Sequence, residues 1–279
     1  MGFLSAVEMA GFVIGPFMGG MLYSLGGLDL PFLSCSILGF AAAAMIWGSI
    51  QRDRPQKEPV RMSFWERYGF TALHHPDMKR LCLIGFSEAF IWGSIMTLLP
   101  VMASNQGVQP NKIGWLFTAY FIVYMLLLGP AGRWSDRHGR KKPILFGLCI
   151  YALSAILISR GGGFVQMMMV LAMAGFGLGI YSPCVRVAVA DLSAREIRGA
   201  SMGLFFTSRT MGIFMGPNIS GFLADRFGPG FPFLIGSAGL LFGIWASLSL
   251  SAELSLRLAK EIEASGKKTM KLQKYPYAE

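Results

Sequence analysis

Charged side chains are scarce in this sequence. Asp, Glu, Lys and Arg together make up 14% of the 279 residues, whereas apolar residues make up 53%. Soluble domains average about 25% charged residues, so the long apolar stretches must face something other than water. A helix of roughly 20 apolar residues spans a bilayer core because its backbone polar groups are bonded internally. The scarcity of charge therefore predicts an all-α integral membrane protein.

Cysteine and histidine are also rare, with four and three residues. The four cysteines lie inside apolar stretches without paired spacing: Cys35, Cys82, Cys149 and Cys184. This pattern favours small buried side chains over disulfides. His74 and His75 are adjacent and point to different helix faces, so we predict no metal site. The sequence contains no phosphate-binding loop, zinc spacing or nucleophile–base arrangement. We therefore expect no enzyme and no cofactor.

The apolar stretches predict about eight transmembrane helices. They lie near residues 2–24, 30–50, 81–103, 113–131, 142–159, 163–190, 200–224 and 231–252. Residues 62–79 mix aromatic and charged side chains and are too polar to span a bilayer. We predict that they form an interfacial helix within a long loop.

The net charge of +10 is distributed unevenly between the two ends of the predicted helices. Segments 51–80, 132–142, 186–198 and 253–279 hold 21 Lys and Arg residues, against three on the opposite face. Basic loops remain on the cytoplasmic side of a membrane. We therefore expect a multi-pass protein of the cell (inner or plasma) membrane with both termini cytoplasmic. The bilayer, rather than nucleic acid, is the partner that this charge predicts.

The sequence contains an internal repeat. Residues 1–33 align without gaps to residues 202–234, and the shared positions are mainly glycine and proline. Duplicated six-helix halves are a known transporter architecture. With an offset of 201 residues, the partners of helices three to six would precede Met1. We therefore expect a twelve-helix protein that begins at its fifth helix.

A glycine-rich basic loop follows the fourth helix. It contains Gly132, Asp136, Arg137, Gly139 and Arg140. The glycines permit a tight turn, the basic residues cannot enter the bilayer, and Asp136 can face a helix N-terminus or an arginine. The pattern resembles the major facilitator superfamily signature between the second and third helices of each six-helix half. The resemblance implies a cytoplasmic latch that changes contacts during transport and docks near the start of the first helix; the alternative is a basic turn that only fixes topology.

The first helix carries a second pattern. Its members are Gly2, Gly11, Gly15, Pro16, Gly19 and Gly20. It resembles the fifth-helix motif of major facilitator drug–proton antiporters, which implies export. Physically, such glycines let two helix backbones touch, and the proline kinks the helix. Generic small-residue packing is the alternative, because the repeat preserves part of the pattern in the seventh helix.

The resemblance covers residues 1–252 and implies four segments. Residues 1–50 are the last two helices of the N-terminal half, and 51–80 are the cytoplasmic loop between halves. Residues 81–252 are the C-terminal six-helix half, and 253–279 are a basic cytoplasmic tail. The expected fold is a major facilitator fold that lacks its first four helices.

Three ionisable residues stand out inside predicted helices, where a bare charge is costly and often functional. Glu88 is a candidate to bind and release a proton, or else a structural carboxyl bonded to a neighbouring helix. Glu8 and Arg209 occupy equivalent repeat positions with opposite charge. They form either an ion pair between the halves or two side chains that extend to the membrane surface.

Aromatic residues indicate a cavity. Tyr120 and Tyr124 share one helix face and either line a substrate cavity or pack in the core. Tyr181, Pro183 and Arg186 mark a kinked segment expected to face the same cavity.

The leading hypothesis is a secondary transporter that exports small amphipathic molecules in exchange for protons by alternating access between two halves. One alternative is a truncated, non-transporting membrane protein. Another is a major facilitator importer of a small metabolite. The expected partners are a small-molecule substrate, protons and the lipid bilayer.

Overall fold

The computed structural model describes residues 2–49, 76–193 and 197–248, and side-chain positions within 11–48, 76–193 and 197–245. The described residues form eight helices. The helices are α1 Gly2–Gly26, α2 Asp29–Ser49, α3 Pro76–Asn105, α4 Pro110–His138, α5 Lys141–Ser159, α6 Phe164–Asp191, α7 Arg198–Phe227 and α8 Phe231–Leu248. The helices match the eight predicted ones in order and approximate position.

Helix ends follow ordinary capping chemistry. Pro76 and Pro110 open α3 and α4, at positions where the missing amide hydrogen costs nothing. Asp77 lies in the first turn of α3, where the helix dipole favours a carboxylate, and it pairs with Arg80 at 2.7 Å. The helix therefore begins before residue 81, the predicted boundary, and residues 76–79 belong to α3 rather than to an interfacial helix.

Helices α3 to α8 form one bundle. The closest pairs are α3 with α7, α4 with α6, and α5 with α6, and α8 packs against α5 and α3. Helix α1 packs along α4, and α2 contacts α1. The predicted loop from 51 to 75 and the tail from 253 lie outside the described residues.

Five of the described helices are long and apolar enough to cross a membrane by composition: α2, α3, α4, α5 and α6. Helices α1 and α8 contribute shorter apolar segments, Gly11–Gly26 and Phe231–Trp245. Helix α7 is more polar than predicted, since Ser201, Ser208, Arg209 and Ser220 lie along it. All of these side chains but Ser201 bond to α3. Internal bonding lets a polar helix pack in a membrane bundle.

The surface of the bundle is apolar. Trp47 on α2 is 91% exposed, Phe40 is 79% exposed, and Phe214 on α7 is 71% exposed. In a water-soluble protein such a surface would cause association. On long apolar helices it suits contact with lipid, as in a multi-pass membrane protein.

Candidate functional site

A cavity of about 350 Å³ lies inside the helices. Helices α1, α3, α4, α6 and α7 all contribute side chains to it. Its lining is Phe12, Trp92, Phe121, Tyr124, Leu178, Tyr181, Ser182, Val185, Arg186, Phe205, Phe206, Arg209 and Ile213. The wall is therefore mainly aromatic, with two guanidinium groups set into it.

An ion pair joins α3 and α7 at the edge of this cavity. Arg209 Nε donates to Glu88 Oε2 at 3.1 Å, and a second guanidinium nitrogen lies 3.4 Å from Oε1. The Glu88 side chain is 1% exposed and that of Arg209 is 29% exposed. A buried carboxylate is tolerated when it has such a partner. Arg209 thus bridges the buried carboxylate and the open cavity.

The sequence left two alternatives for Arg209: a pair with Glu8, or extension of both side chains to the membrane surface. The structure places Glu88 against Arg209, and the side chain of Glu8 lies outside the described residues. Glu88 was predicted either to carry a proton or to bond to a neighbouring helix, and the structure shows the bond. A role in coupling stays a prediction.

Helices α3 and α7, which position this pair, approach each other very closely. Gly212 and Gly216 on α7 lie directly against the backbone carbonyls of Phe86 and Phe90, where a Cβ atom would clash. Beyond them the hydroxyls of Ser94 and Ser220 are 2.6 Å apart. Small residues allow such backbone approach between membrane helices. The interface therefore fixes the depth at which Glu88 meets Arg209.

The two tyrosines predicted to share a cavity face have different roles. Tyr124 lines the cavity, and its hydroxyl lies 3.3 Å from that of Ser182. Tyr120 is fully buried and is not part of the lining. Its neighbours Phe121 and Tyr124 reach the cavity, so the helix turns Tyr120 into the core instead.

A cluster of buried tyrosines lies beside the ion pair. Tyr120, Tyr151 and Tyr181 are at most 2% exposed and lie within electrostatic range of Glu88. In the described part of the chain, none of their hydroxyls makes a well-formed hydrogen bond. Buried hydroxyls usually have partners, and the hydroxyls of Tyr120 and Tyr151 interact with each other. Sequence reasoning missed Tyr151, because an isolated tyrosine in an apolar helix gives no distinct signal.

Arg186 reaches the cavity from α6, as the sequence predicted for its segment. Its Nε donates to the Ser182 carbonyl oxygen at 3.2 Å, and another nitrogen lies 3.2 Å from the Ser182 hydroxyl. Both contacts are within one turn of the same helix. Within the described residues, no carboxylate pairs with Arg186.

The basic loop between α4 and α5 is held by one arginine. Arg140 bonds to Asp136 at 2.5 Å, to Ser135 at 3.1 Å, and to Asp191 at the end of α6 at 3.1 Å. Partial burial works against the charged guanidinium, but the hydrogen bonds to Asp136 and Asp191 raise the pKa of Arg140 above its ordinary value. Asp136 therefore faces an arginine, one of the two partners that the sequence predicted.

The remaining predicted residues of this loop make few contacts. Gly139 has φ +82° and ends α4, which explains the glycine there, whereas Gly132 has open space beside it. Arg137 is exposed. The sequence analysis did not identify Asp191. The feature that could have identified it is an acidic residue at the end of a predicted helix, on the side of the membrane where the Lys and Arg residues are concentrated. Docking of the loop near the start of α1 concerns side chains outside the described residues and stays a prediction.

The glycine motif of α1 packs only in part. The face that contacts α4 contains Val13, Pro16 and Gly20, and a Cβ at Gly20 would lie 3.2 Å from the Pro110 carbonyl oxygen. For the other three described glycines, no atom lies within 4 Å of the place that a Cβ would occupy: Gly11, Gly15 and Gly19. They recur every four residues on a different face, so the predicted close helix contact is wrong for these three. The surroundings of Gly2 lie outside the described side chains.

No group of three or more His, Cys, Asp or Glu side chains within 2–49, 76–193 and 197–248 has an arrangement that could hold a metal ion. Cys35 and Cys149 are exposed free thiols, and Cys82 and Cys184 are buried ones. The chemistry of the described site is therefore that of arginines, one carboxylate and aromatic rings.

Comparison with known proteins points to one family. Residues 81–274 match the family model of the Major Facilitator Superfamily. An uncharacterized MFS-type transporter of Methanocaldococcus jannaschii is 28% identical over 82% of this chain and 60% of its own length. Multidrug resistance protein 2 of Bacillus subtilis is 27% identical over 69% of this chain and 49% of its own length.

Two further similarities extend this result. Quinolone resistance protein NorA of Staphylococcus aureus is 27% identical over 53% of this chain and 39% of its own length. A crystal structure of the peptide transporter POT superposes with a TM-score of 0.54 at 17% identity, over 71% of this chain and 45% of that one. The chain thus spans about half the length of the curated relatives it matches.

Proposed function

Since the chain belongs to the Major Facilitator Superfamily, we propose that it exports small amphipathic molecules in exchange for protons by alternating access. The observation that carries this proposal is the Glu88–Arg209 pair, with its carboxylate buried and its guanidinium at the cavity. The names of the B. subtilis and S. aureus relatives, which refer to multidrug and quinolone resistance, support export of such molecules. The glycine motif of α1 supports the same direction.

The pair couples protonation to the charge of the cavity. When a proton binds a Glu88 carboxylate oxygen, the carboxyl becomes neutral and its attraction for Arg209 is lost. Arg209 then faces the cavity without a counter-charge, so the cavity gains one positive charge for each proton taken up. A substrate that binds only the deprotonated state, in which Glu88 and Arg209 are paired, is transported only in exchange for protons.

The loop between α4 and α5 serves as a latch in this proposal. Arg140 links the loop to Asp191, so the contact ties the end of α4 to the end of α6. The excess of basic residues supports a cytoplasmic position for this loop and for both termini in a protein of the cell membrane. Loss and recovery of the contact would accompany the change of access.

Transport in proteoliposomes tests the proposal. The purified chain is reconstituted with an imposed pH gradient, and movement of norfloxacin, a quinolone, is followed together with the internal pH. We expect norfloxacin to move against the proton flow, Glu88→Gln to abolish this coupling, and Asp225→Asn to leave it unchanged. Asp225 is the matched control because it is an exposed carboxylate on the same helix as Arg209.

Three outcomes would contradict the proposal. Norfloxacin movement that ignores the pH gradient would end the exchange mechanism. Movement in the same direction as protons would favour an importer. No movement by a folded chain would favour the non-transporting alternative.

A further inference from the structure

We propose that the cavity binds an aromatic carboxylate, whose anionic group contacts Arg186 while its rings contact the aromatic wall. This inference rests on the proposed function, because it names the substrate class of the same cavity. Three observations carry it: the unpaired charge of Arg186, the hydroxyls beside it, and the size and composition of the wall.

The two guanidinium groups of the cavity differ in their partners. Arg209 is matched by Glu88 at 3.1 Å. Arg186 bonds only to Ser182, four residues earlier on its own helix, and no carboxylate among the described residues faces it. An unmatched guanidinium inside a membrane bundle is costly, and an anion that enters the cavity removes this cost. The cavity therefore selects negative over positive ligands.

The groups around Arg186 suit a carboxylate in particular. A guanidinium binds the two oxygens of a carboxylate with parallel hydrogen bonds. The hydroxyl oxygens of Ser182 and Tyr124 lie 3.3 Å apart on the same wall. The hydroxyl that accepts in this contact keeps its own hydrogen and is able to donate it to a carboxylate oxygen.

The remaining wall suits aromatic rings. Trp92, Phe121, Phe205 and Phe206 come from three helices and surround the space beside Arg186. Aromatic side chains prefer stacked or edge-to-face contact with other rings. The volume of about 350 Å³ lies near the lower end of ligand pockets, roughly 300–1,000 Å³. A molecule of one or two rings with one carboxylate fits these limits.

Binding measured without a proton gradient tests the inference. Three matched probes are compared on the full chain in a neutral detergent by titration calorimetry: 2-naphthoate, its neutral amide, and 2-naphthylmethylammonium. We expect 2-naphthoate to bind about tenfold or more tighter than the amide, as one charge-assisted contact provides. The cation is expected to bind more weakly than the amide.

Variants test whether the preference for the carboxylate over the amide depends on Arg186. Arg186→Gln is expected to remove the difference between carboxylate and amide, and Arg186→Lys to retain part of it. Arg160→Gln is the control, since Arg160 is exposed at the end of α5. If Arg186→Gln does not fold, Ser182→Ala together with Arg186→Lys provides the test: both should weaken carboxylate binding and leave amide binding unchanged.

Equal binding of the carboxylate and the amide, or an Arg186→Gln variant that keeps the preference, would overturn the inference. Arg186-dependent binding of phosphatidylglycerol in place of 2-naphthoate would also overturn it and assign the site to a lipid headgroup. Tight binding without proton-driven transport would instead contradict only the proposed function. The two failures are therefore distinguishable.

Discussion

Arg209 lies in the repeat position equivalent to Glu8, yet its guanidinium bonds to Glu88 on α3, 121 residues away in sequence, at 3.1 Å. The two side chains are unequal partners, because Glu88 is 1% exposed and Arg209 is 29% exposed. Removing one partner should therefore not cost the same as removing the other.

We expect Arg209→Gln to destabilise the protein more than Glu88→Gln. The first variant leaves a buried carboxylate without its cation, for which losses of about 3–5 kcal/mol are typical. The second leaves an arginine that still reaches the cavity. Denaturant unfolding in detergent measures both. Equal losses in the two variants would contradict this account.

The close approach of α7 to α3 gives a second prediction. Gly212→Ala and Gly216→Ala each place a methyl group against a backbone carbonyl of α3, so each should lower the unfolding free energy by about 1–3 kcal/mol. Gly221→Ala is the control, since nothing lies within 4 Å of that position on the same helix. If all three variants have the same stability, the helices are farther apart than described here.

A third prediction concerns the loop at the end of α4. Arg140→Gln and Asp191→Asn both remove the link to α6, so each should increase amide hydrogen exchange in residues 132–142. The double variant should add little to Arg140→Gln, because Asp191 acts on the loop through Arg140. Arg137→Gln changes an exposed arginine of the same loop and should have no effect. Additive effects would show that the two residues stabilise the loop independently.

Tyr151→Phe removes a buried hydroxyl that lacks a well-formed partner. Because only a poorly formed contact with the Tyr120 hydroxyl is lost, the variant should be about as stable as the parent in thermal unfolding. Ser94→Ala is the contrasting variant, since its hydroxyl bonds to Ser220 at 2.6 Å, and it should lose about 1 kcal/mol. A comparable loss in Tyr151→Phe would mean that its hydroxyl has a well-formed partner.

Much of the fold could be predicted from the sequence because lipid imposes a simple rule. A chain that crosses a bilayer must bond its backbone internally over about 20 residues, and apolar length reveals this directly. Helix α7 fits the rule less well. Its residues Ser208, Arg209 and Ser220 bond to α3, and such bonding depends on a neighbour that hydropathy does not identify.

Individual residues of the site could be predicted from the sequence, but the contacts between them could not. Glu88 was evident because a carboxylate in the middle of an apolar helix is rare. Its partner was not evident, because the rotation of α7 against α3 decides which side chain Arg209 meets. The same limit explains why Gly11, Gly15 and Gly19 were expected at a contact that the structure gives to Gly20. A spacing pattern identifies the face of a helix, but not the neighbour that covers it.

The backbone contact between α3 and α7 implies that side-chain rotation and helix movement occur at different times. Since Gly212 and Gly216 already touch carbonyl groups of α3, neither helix has room to slide past the other when Glu88 is protonated. The response to the proton is then confined to side-chain rotation, which takes picoseconds to nanoseconds, whereas concerted helix movement takes microseconds to milliseconds. A rapid proton jump should therefore change the environment of Arg209 long before the cavity changes the side to which it opens.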